Sequence, residues 1–457
     1  MVGELVGVIN SGNQSAQSGF VRSHVSERGL KETLPDRYLS VLEKVHSQTE
    51  RVEVVDLQSV GNIVEARLSS RKGGRWARLY MILDKVEPGK ILEFGFVPLD
   101  DPKGDAEDPW SGKKGSEEEV VDEIDGHVER LARLDAFSGV VLVALKERTL
   151  YHGAFGCAEK SFTVPNKPDT KFNLGSMNKM FTSVALAQIA ASGRLSFQDR
   201  LTDVLPDYPN QLAASKITID HLLSHRAGLG MLFNSPLYDR QKRYKNHTEL
   251  MSVFADNPPL FEPGTKYSYS NEGFIVLGAV IEKVSGQDYH DFVREHVFKP
   301  ADMCDTDAYS LDEVTQNLAV GYMRYEDDPF GLEPRRPNFM FLGWRGNACG
   351  GGYSTATDLL KFSRALRGYK LLNRDLTEMI TTEQGLMVGY GYGFEVQSIN
   401  GNSVRGHSGG GANSGINTDF GIFWDKGYNV VVLSNYDAPM AQELHQKICK
   451  LLALQGV

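Results

Sequence analysis

Cysteine is scarce in this chain: four among 457 residues, Cys157, Cys304, Cys349 and Cys449, far apart and without metal-ligand spacing. That excludes a disulfide framework and a cysteine-held zinc centre, and leaves buried or incidental thiols. Long apolar runs are also missing. The longest, such as Gly139 to Leu145 and Val430 to Leu433, fall far short of the ~20 residues that a membrane-spanning helix needs. Positive charge is in deficit, with 49 Lys and Arg against 59 Asp and Glu, a formal net charge of −10. With no basic stripe interleaved with aromatics, this excludes a general nucleic-acid binder. The start, Met1 to Asn10, has neither the basic region nor the long apolar core of a signal peptide. A chain complete as given would be cytoplasmic, and a mature form that has lost its leader would be periplasmic or secreted. No internal repeat and no low-complexity tract is present.

What remains is an ordinary globular composition, 41% hydrophobic and 24% charged, in a chain long enough for two domains. Residues 100–118 combine Pro, Gly and charge with almost nothing apolar, and read as a linker. Before it, residues 1–99 hold two short amphipathic patterns, Ser15 to Val25 and Pro35 to Val45, read as helices. Four strand-like runs follow, at Val52 to Leu57, Ile63 to Leu68, Trp76 to Leu83 and Ile91 to Val97, separated by glycine-containing turns. Helices followed by a strand meander imply a small α+β domain with one sheet face covered. In element order it resembles the cystatin-like and NTF2-like domains. No catalytic constellation lies in it, and a role in self-association or anchoring is the expectation.

Residues 119–457 read differently. Glu119 to Leu134 is a helix, Gly139 to Leu145 and Thr149 to Phe155 a hairpin. The chain closes with strand-like runs at Tyr392 to Ser398, Ser403 to Gly406, Gly415 to Trp424 and Asn429 to Ser434, and a helix from Met440 to Leu454. An antiparallel sheet assembled from both ends of this stretch, with a mainly helical insertion between, is the economical arrangement.

The chemistry concentrates at Ser176 to Lys179. The pattern Ser-x-x-Lys occurs three times, but Ser69 to Lys72 and Ser111 to Lys114 lie in polar, glycine-containing runs. Ser176 follows a glycine and precedes apolar residues at Met180, Phe181, Val184, Leu186 and Ile189, an amphipathic helical recurrence that stops at Gly193. Positions i and i+3 share a helix face, so the Lys179 amine reaches the Ser176 oxygen. Backbone N–H groups at a helix start favour an oxyanion there. A serine in a first turn beside a solvated lysine is the alternative reading of the segment alone.

Further segments accompany it: His221 to Leu229, Phe261 to Asn271 and His407 to Gly411. With them, residues 120 to 457 resemble the serine β-lactamase and penicillin-binding-protein superfamily, and more closely its branch of class C β-lactamases, family VIII carboxylesterases, D-aminopeptidases and D,D-peptidases. The resemblance implies an α+β, β-lactamase/D,D-peptidase-like fold. The second family motif, Tyr-x-Asn, has three matches here. Only Tyr269 to Asn271 sits between a Pro-Gly turn, Pro263-Gly264, and a helical apolar run, Phe274 to Val284. The resemblance implies that the Tyr269 phenol lies near Ser176 and Lys179, and that Asn271 donates to a substrate carbonyl. Lysine and tyrosine have ordinary pKa values near ~10.4 and ~10, so either needs its surroundings to act as base, and the two are read as a coupled base.

The third motif, usually Lys-Thr-Gly on a sheet-edge strand, has its counterpart in His407-Ser408-Gly409, and the resemblance implies that the Gly410 N–H joins that of Ser176 in an oxyanion hole. Histidine in place of lysine removes a permanent cation, and favours neutral or amine-bearing substrates over carboxylates. Trp344, ahead of the glycine run Gly350 to Gly352, is expected to line the acyl pocket or to pack as an aromatic. His221 and His225 are four apart, yet no Glu or third ligand completes a zinc motif, and no metal or organic cofactor is implied. The reading is a serine hydrolase of small esters working through an acyl-enzyme. A D-amino-acid peptidase or amidase, a weak β-lactamase, and a penicillin-binding or ligand-sensing protein without turnover are the rivals.

Overall fold

The structure is a computed structural model that describes residues 1–71, 76–99, 110–230, 232, 235, 237–240, 242–324, 328, 330, 331, 333–386, 388–411 and 413–455. Of the linker expected at residues 100–118, residues 100–109 fall outside them, and Glu117 and Glu118 already belong to a helix. The chain divides into two compact units. One takes Met1–Pro109 with Arg133–Ala136 and Arg324–Arg336; the other takes Trp110–Ala132, Phe137–Met323 and Pro337–Val457.

In the first unit four helices, α1 (Val2–Ser11), α2 (Gln14–His24), α3 (Glu27–Glu32) and α4 (Pro35–Thr49), precede four strands, β1 (Val52–Val60), β2 (Ile63–Ser70), β3 (Trp76–Leu83) and β4 (Ile91–Leu99). The strands form an antiparallel meander in the order β1-β2-β3-β4. Alternation sets the covered face: Ala66 and Leu68 of β2 and Ala77, Leu79 and Met81 of β3 are buried. They share one apolar cluster with Leu5 and Ile9 of α1, Phe20 and Val21 of α2, Leu42 and Val45 of α4, and Phe330. Helix α1 is an addition to the sequence reading, although Val2, Leu5, Val6 and Ile9 carry helical spacing. Two of the helices begin where local chemistry allows, α2 at Asn13, whose side chain accepts from the Ala16 N–H, and α4 at Pro35.

The second unit is built on a six-stranded antiparallel sheet drawn from both ends of its sequence. Its strands are β5 (Gly139–Leu145), β6 (Arg148–Phe155), β7 (Glu395–Ile399), β8 (Asn402–Gly411), β9 (Ile416–Phe423) and β10 (Tyr428–Ser434), in the order β7-β8-β9-β10-β5-β6. The helices that matter for the site are α5 (Glu117–Arg133), α6 (Asn178–Ala191), α7 (Ile219–Leu223), α8 (Asn271–Ser285) and α9 (Met440–Leu454). The α+β architecture with a helical insertion is the one expected. Two details differ. Helix α6, read as amphipathic, is buried nearly all round: Met180, Phe181, Val184, Ala185, Leu186, Ala187 and Ile189 are each at most 1% exposed. It is a central helix of the core. Strand β8 runs on to Gly411, five residues past the strand-like run Ser403 to Gly406, and takes in the His407-Ser408-Gly409 motif.

That extension positions the site. Strand β7 pairs with β8 only as far as Gly406, whereas β9 pairs with it to Gly411. Residues His407 to Gly411 therefore keep one edge open, and the turn Gly175–Met177 packs there. A Cβ on Gly409 would stand 2.0 Å from the Leu174 carbonyl oxygen, and one on Gly175 would stand 2.4 Å from the Gly410 nitrogen. Close approach of two backbones is what requires glycine at these places. Among the described residues no helix is long and apolar enough to cross a membrane.

Candidate active site

Ser176 lies at the centre of a single 3-10 turn, Gly175–Met177, two residues ahead of α6. The turn is fastened on both sides. Leu174 donates its N–H to the Gly352 carbonyl and accepts from Thr418 Oγ1 of β9, while Gly351 N–H reaches the Gly175 carbonyl. The serine is half-buried and faces an open cleft of about 340 Å³ that Asn271, Cys349, Gly410 and Ser414 also line.

Lys179, one turn into the helix, is fully buried. Its Nζ lies 3.1 Å from Ser176 Oγ, 2.8 Å from Asn271 Oδ1 and 2.6 Å from the Cys349 carbonyl. Three acceptors match the three N–H bonds of an ammonium. Among the described residues no carboxylate lies within ion-pair distance of it. Burial without a counter-ion therefore lowers its pKa to about 8. On losing a proton the amine gains a lone pair, and the Ser176 hydroxyl is within reach to donate to it.

Tyr269 sits on the segment between the Pro263-Gly264 turn and α8, with its ring 4.9 Å from Lys179 Nζ. The residue is 42% exposed; desolvation of the phenol by the surrounding protein raises its pKa, and the neighbouring Ser176 offsets this in part. A raised phenol is a weak source of phenolate and a good proton carrier. Asn271, first residue of α8, spends its carbonyl oxygen on Lys179, so its NH₂ group is left to face the cleft. Gly410 borders the cleft at φ 94°, a left-handed conformation that suits glycine, and a Cβ there would stand 1.8 Å from the Ile416 carbonyl oxygen. Cys349 is a second nucleophile on the wall, but burial pushes its thiol up to about 11.

Two of the residues singled out in the sequence are not brought into the cleft. His407 does not line the cleft. It is 2% exposed, with Nε2 at 3.0 Å from Tyr390 Oη and Nδ1 at 2.5 Å from the Ser408 carbonyl. Both ring nitrogens are spent within the protein, so the ring forms a layer behind Tyr269, 6.4 Å away centroid to centroid. Trp344 is absent from the Ser176 cleft as well. Its Nε1 donates to Asp312 Oδ1 at 2.9 Å, and its ring lies 4.6 Å from the Arg243 guanidinium, in a neighbouring cavity.

The structure adds His225 and Tyr390, which local motifs did not mark as part of the site. Their hydrogen-bond directions can be deduced. The Ser270 N–H donates to His225 Nδ1 at 3.1 Å, so the neutral ring carries its proton on Nε2 and donates to Tyr390 Oη at 2.9 Å. Tyr390 then donates to His407 Nε2, which leaves the His407 proton on Nδ1, facing the Ser408 carbonyl. The His225 ring packs against Tyr269 at 4.3 Å. Burial, first, and the nearby Lys179 hold both histidines below their ordinary pKa, so the relay is neutral. His221, the other half of the discounted metal pair, instead closes a capping box with Thr218 at the start of α7.

This unit has clear relatives. The beta-lactamase family profile matches residues 124–454. A penicillin-binding protein of Bacillus subtilis (strain 168) is 30% identical over 298 residues, 62% of this chain and 65% of that protein. The esterase EstB of Burkholderia gladioli is 31% identical over 203 residues, 42% of this chain and 51% of that protein. The chain thus spans less than two thirds of the length of either relative. Among solved structures, a penicillin binding protein from Bacillus halodurans superposes with a TM-score of 0.62 at 27% identity, covering 75% of this chain and 100% of that one.

Proposed function

The chain belongs to the beta-lactamase family, and from that premise we propose that it is a serine hydrolase that cleaves small esters through a Ser176 acyl-enzyme. The observation that carries the reading is the buried Lys179 amine, 3.1 Å from Ser176 Oγ, with its pKa lowered to about 8. At pH 7 about a tenth of such an amine is neutral and able to take a proton. In this reading Ser176 Oγ attacks the ester carbonyl carbon as its proton passes to Lys179. The carbonyl oxygen becomes an oxyanion facing the backbone N–H groups of Ser176 and Gly410, and Asn271 donates to the substrate. Tyr269, whose ring lies 4.9 Å from Lys179 Nζ, carries the proton onward to the leaving alkoxide. Water then repeats the sequence on the acyl-enzyme, deprotonated by the same pair, and restores the serine.

Esters are preferred because an alkoxide leaves more readily than an amine, and the likeness to an esterase supports the choice. The lack of a lysine at His407 no longer enters the argument, since that ring is turned away from the cleft. A panel of p-nitrophenyl acetate and butyrate, D-amino-acid amides and a chromogenic cephalosporin tests the reading. Ester turnover that disappears in Ser176→Ala is the expected result. Faster amide than ester turnover would move the chain to the D-amino-acid hydrolases, and a long-lived adduct with labelled penicillin, without ester turnover, to the penicillin-sensing proteins.

A further inference from the structure

His247 opens a short helix, His247–Met251, and its buried ring reaches both α8 and the loop that brings Cys349 to Lys179. A Cβ on Gly278 of α8 would stand 2.3 Å from His247 Cδ2, so a glycine is what lets the ring lie against that helix. Both ring nitrogens are engaged. Nε2 accepts from the Ala348 N–H at 3.0 Å, so the neutral ring carries its proton on Nδ1, which donates to Glu282 Oε1 at 2.8 Å. A protonated ring would set one N–H against another. Burial holds the His247 pKa below its ordinary value, against the pull of Glu282.

The loop held in this way forms a wall of the reactive centre. The Ala348 carbonyl accepts from Thr182 Oγ1 of α6 at 2.7 Å, and His290 Nε2 donates to the Gly346 carbonyl at 2.9 Å. The Cys349 N–H donates to Asn347 Oδ1 at 2.9 Å, and the Cys349 carbonyl is the acceptor 2.6 Å from Lys179 Nζ. Of the three acceptors around that amine, Ser176 shares a turn and helix with the lysine, and Asn271 is fixed in α8. The Cys349 carbonyl sits on a loop, and its place depends on how the loop is fastened.

Resting on the hydrolase reading above, we propose that His247, held in one tautomer by Glu282, is a positioning residue of this site: it fixes the loop whose Cys349 carbonyl aims the Lys179 amine at Ser176. The carbonyl acts in two ways. As an acceptor it favours the ammonium, and so keeps the Lys179 pKa from falling further. As a third fixed point it sets the rotation of the amine, and with it the alignment toward Ser176 Oγ. The other ionisable groups that face Lys179 are the Cys349 thiol, Tyr269, the neutral His225 and His407, and the more distant Glu272 and Glu395. Around His247 they are Glu282, Tyr289, His290 and Asp288.

Sulfonylation of Ser176 by phenylmethylsulfonyl fluoride, followed by intact mass across a range of pH, reads the amine whatever the true substrate. His247→Leu should lower the plateau rate about tenfold and move the acid limb about half a pH unit lower. His247→Gln, whose amide oxygen can accept from the Ala348 N–H, should restore the limb and bring the rate to within about threefold of wild type. Glu282→Met, which leaves Nδ1 without its acceptor, should show both changes in smaller measure, and it decides the matter if His247→Leu does not fold. With 4-nitrophenyl butyrate the loss should fall on kcat, with KM little changed. A limb that stays or rises in the folded variant, or a His247→Gln protein that behaves like His247→Leu, overturns the positioning role. A wild-type chain that is sulfonylated yet hydrolyses no ester overturns the hydrolase reading and leaves the part of His247 readable. A chain inert to both reagents overturns the two together.

Discussion

Two histidines are buried against neighbouring strands of one sheet, and they are held in opposite charge states. Burial is the first influence on both, and it lowers the pKa of each. For His407, on β8, burial prevails: its ring nitrogens meet a tyrosine hydroxyl and a carbonyl, and the Glu395 carboxylate comes no closer than 3.5 Å. For His445, on α9, the Asp419 carboxylate at 3.2 Å and the Cys449 thiol outweigh it and hold the pKa well above the ordinary value. The register places Phe420 opposite His407 and Asp419 opposite Ser408, so the two environments lie on opposite faces. Beside Ser176 the buried histidines are neutral and, among the described residues, Lys179 is left without a carboxylate at ion-pair distance, although Arg405, farther along the same face of β8, pairs with Glu378 at 2.7 Å. On the other face an ion pair is buried. The same burial thus serves reactivity on one side and cohesion on the other.

The largest expected effect follows from removing the uncompensated amine. Lys179→Met should cost about 10³-fold in kcat/KM for p-nitrophenyl butyrate. It should leave the melting temperature unchanged or raise it, because a buried ammonium whose pKa falls from 10.5 to about 8 carries a penalty of about 3 kcal/mol at pH 7. The pH profile adds a sign. Neutral amine is the active form, so kcat/KM should rise about fifty-fold between pH 6 and pH 8 and level off above it. In Lys179→Met that limb should be gone. A variant that melts lower and still turns over would place Lys179 with the cohesive groups.

Next in size is the opposite face. Asp419→Asn removes the partner that holds the His445 proton, and breaking such a buried pair costs about 3 kcal/mol. Since the folded pKa of His445 lies above its unfolded value, the stabilisation is fully present below about pH 6.5 and fades as pH rises through the folded pKa. Urea unfolding at pH 6 should therefore show the full loss, and the loss should shrink as the pH is raised through the folded pKa of His445. Ester turnover by the folded variant should stay within about twofold of wild type. Turnover that falls in step with stability would mean that the two faces are not independent.

The two faces were not equally legible in the sequence. Ser176, Lys179, Tyr269 and Asn271 are marked by short motifs, because helix spacing and a Pro-Gly turn fix their geometry locally. The sheet was legible from short apolar runs such as Gly139–Leu145 and Tyr428–Ser434, buried on both faces. Only the length of β8 was not, since glycines that permit close backbone approach also weaken the strand signal. His225, Tyr390 and the Cys349 carbonyl come together only through tertiary packing, and a carbonyl acceptor carries no residue signature at all. His407 and Trp344 sat in the right segments. Which way each side chain points depends on partners, Tyr390 and Asp312, far along the chain.

The smallest effect is the most discriminating. Tyr390→Phe keeps the ring and removes the hydroxyl that accepts from His225 Nε2 and donates to His407 Nε2. A buried donor and a buried acceptor lose their partner together, which costs about 1 to 3 kcal/mol. If the relay serves only cohesion, that loss is the whole result. If it also holds the wall behind Tyr269, whose ring lies 4.3 Å from His225, kcat should fall about threefold to tenfold with KM little changed. His407 Nε2, freed from a donor, also becomes able to take a proton, and a cation there would oppose protonation of Lys179. The acid limb of the kcat/KM profile should then shift below the wild-type position. A drop in stability with kcat and the acid limb both unmoved would make His407 the equal of His445, a histidine that holds the sheet together, and the site would owe its reactivity to Lys179 and Tyr269 alone.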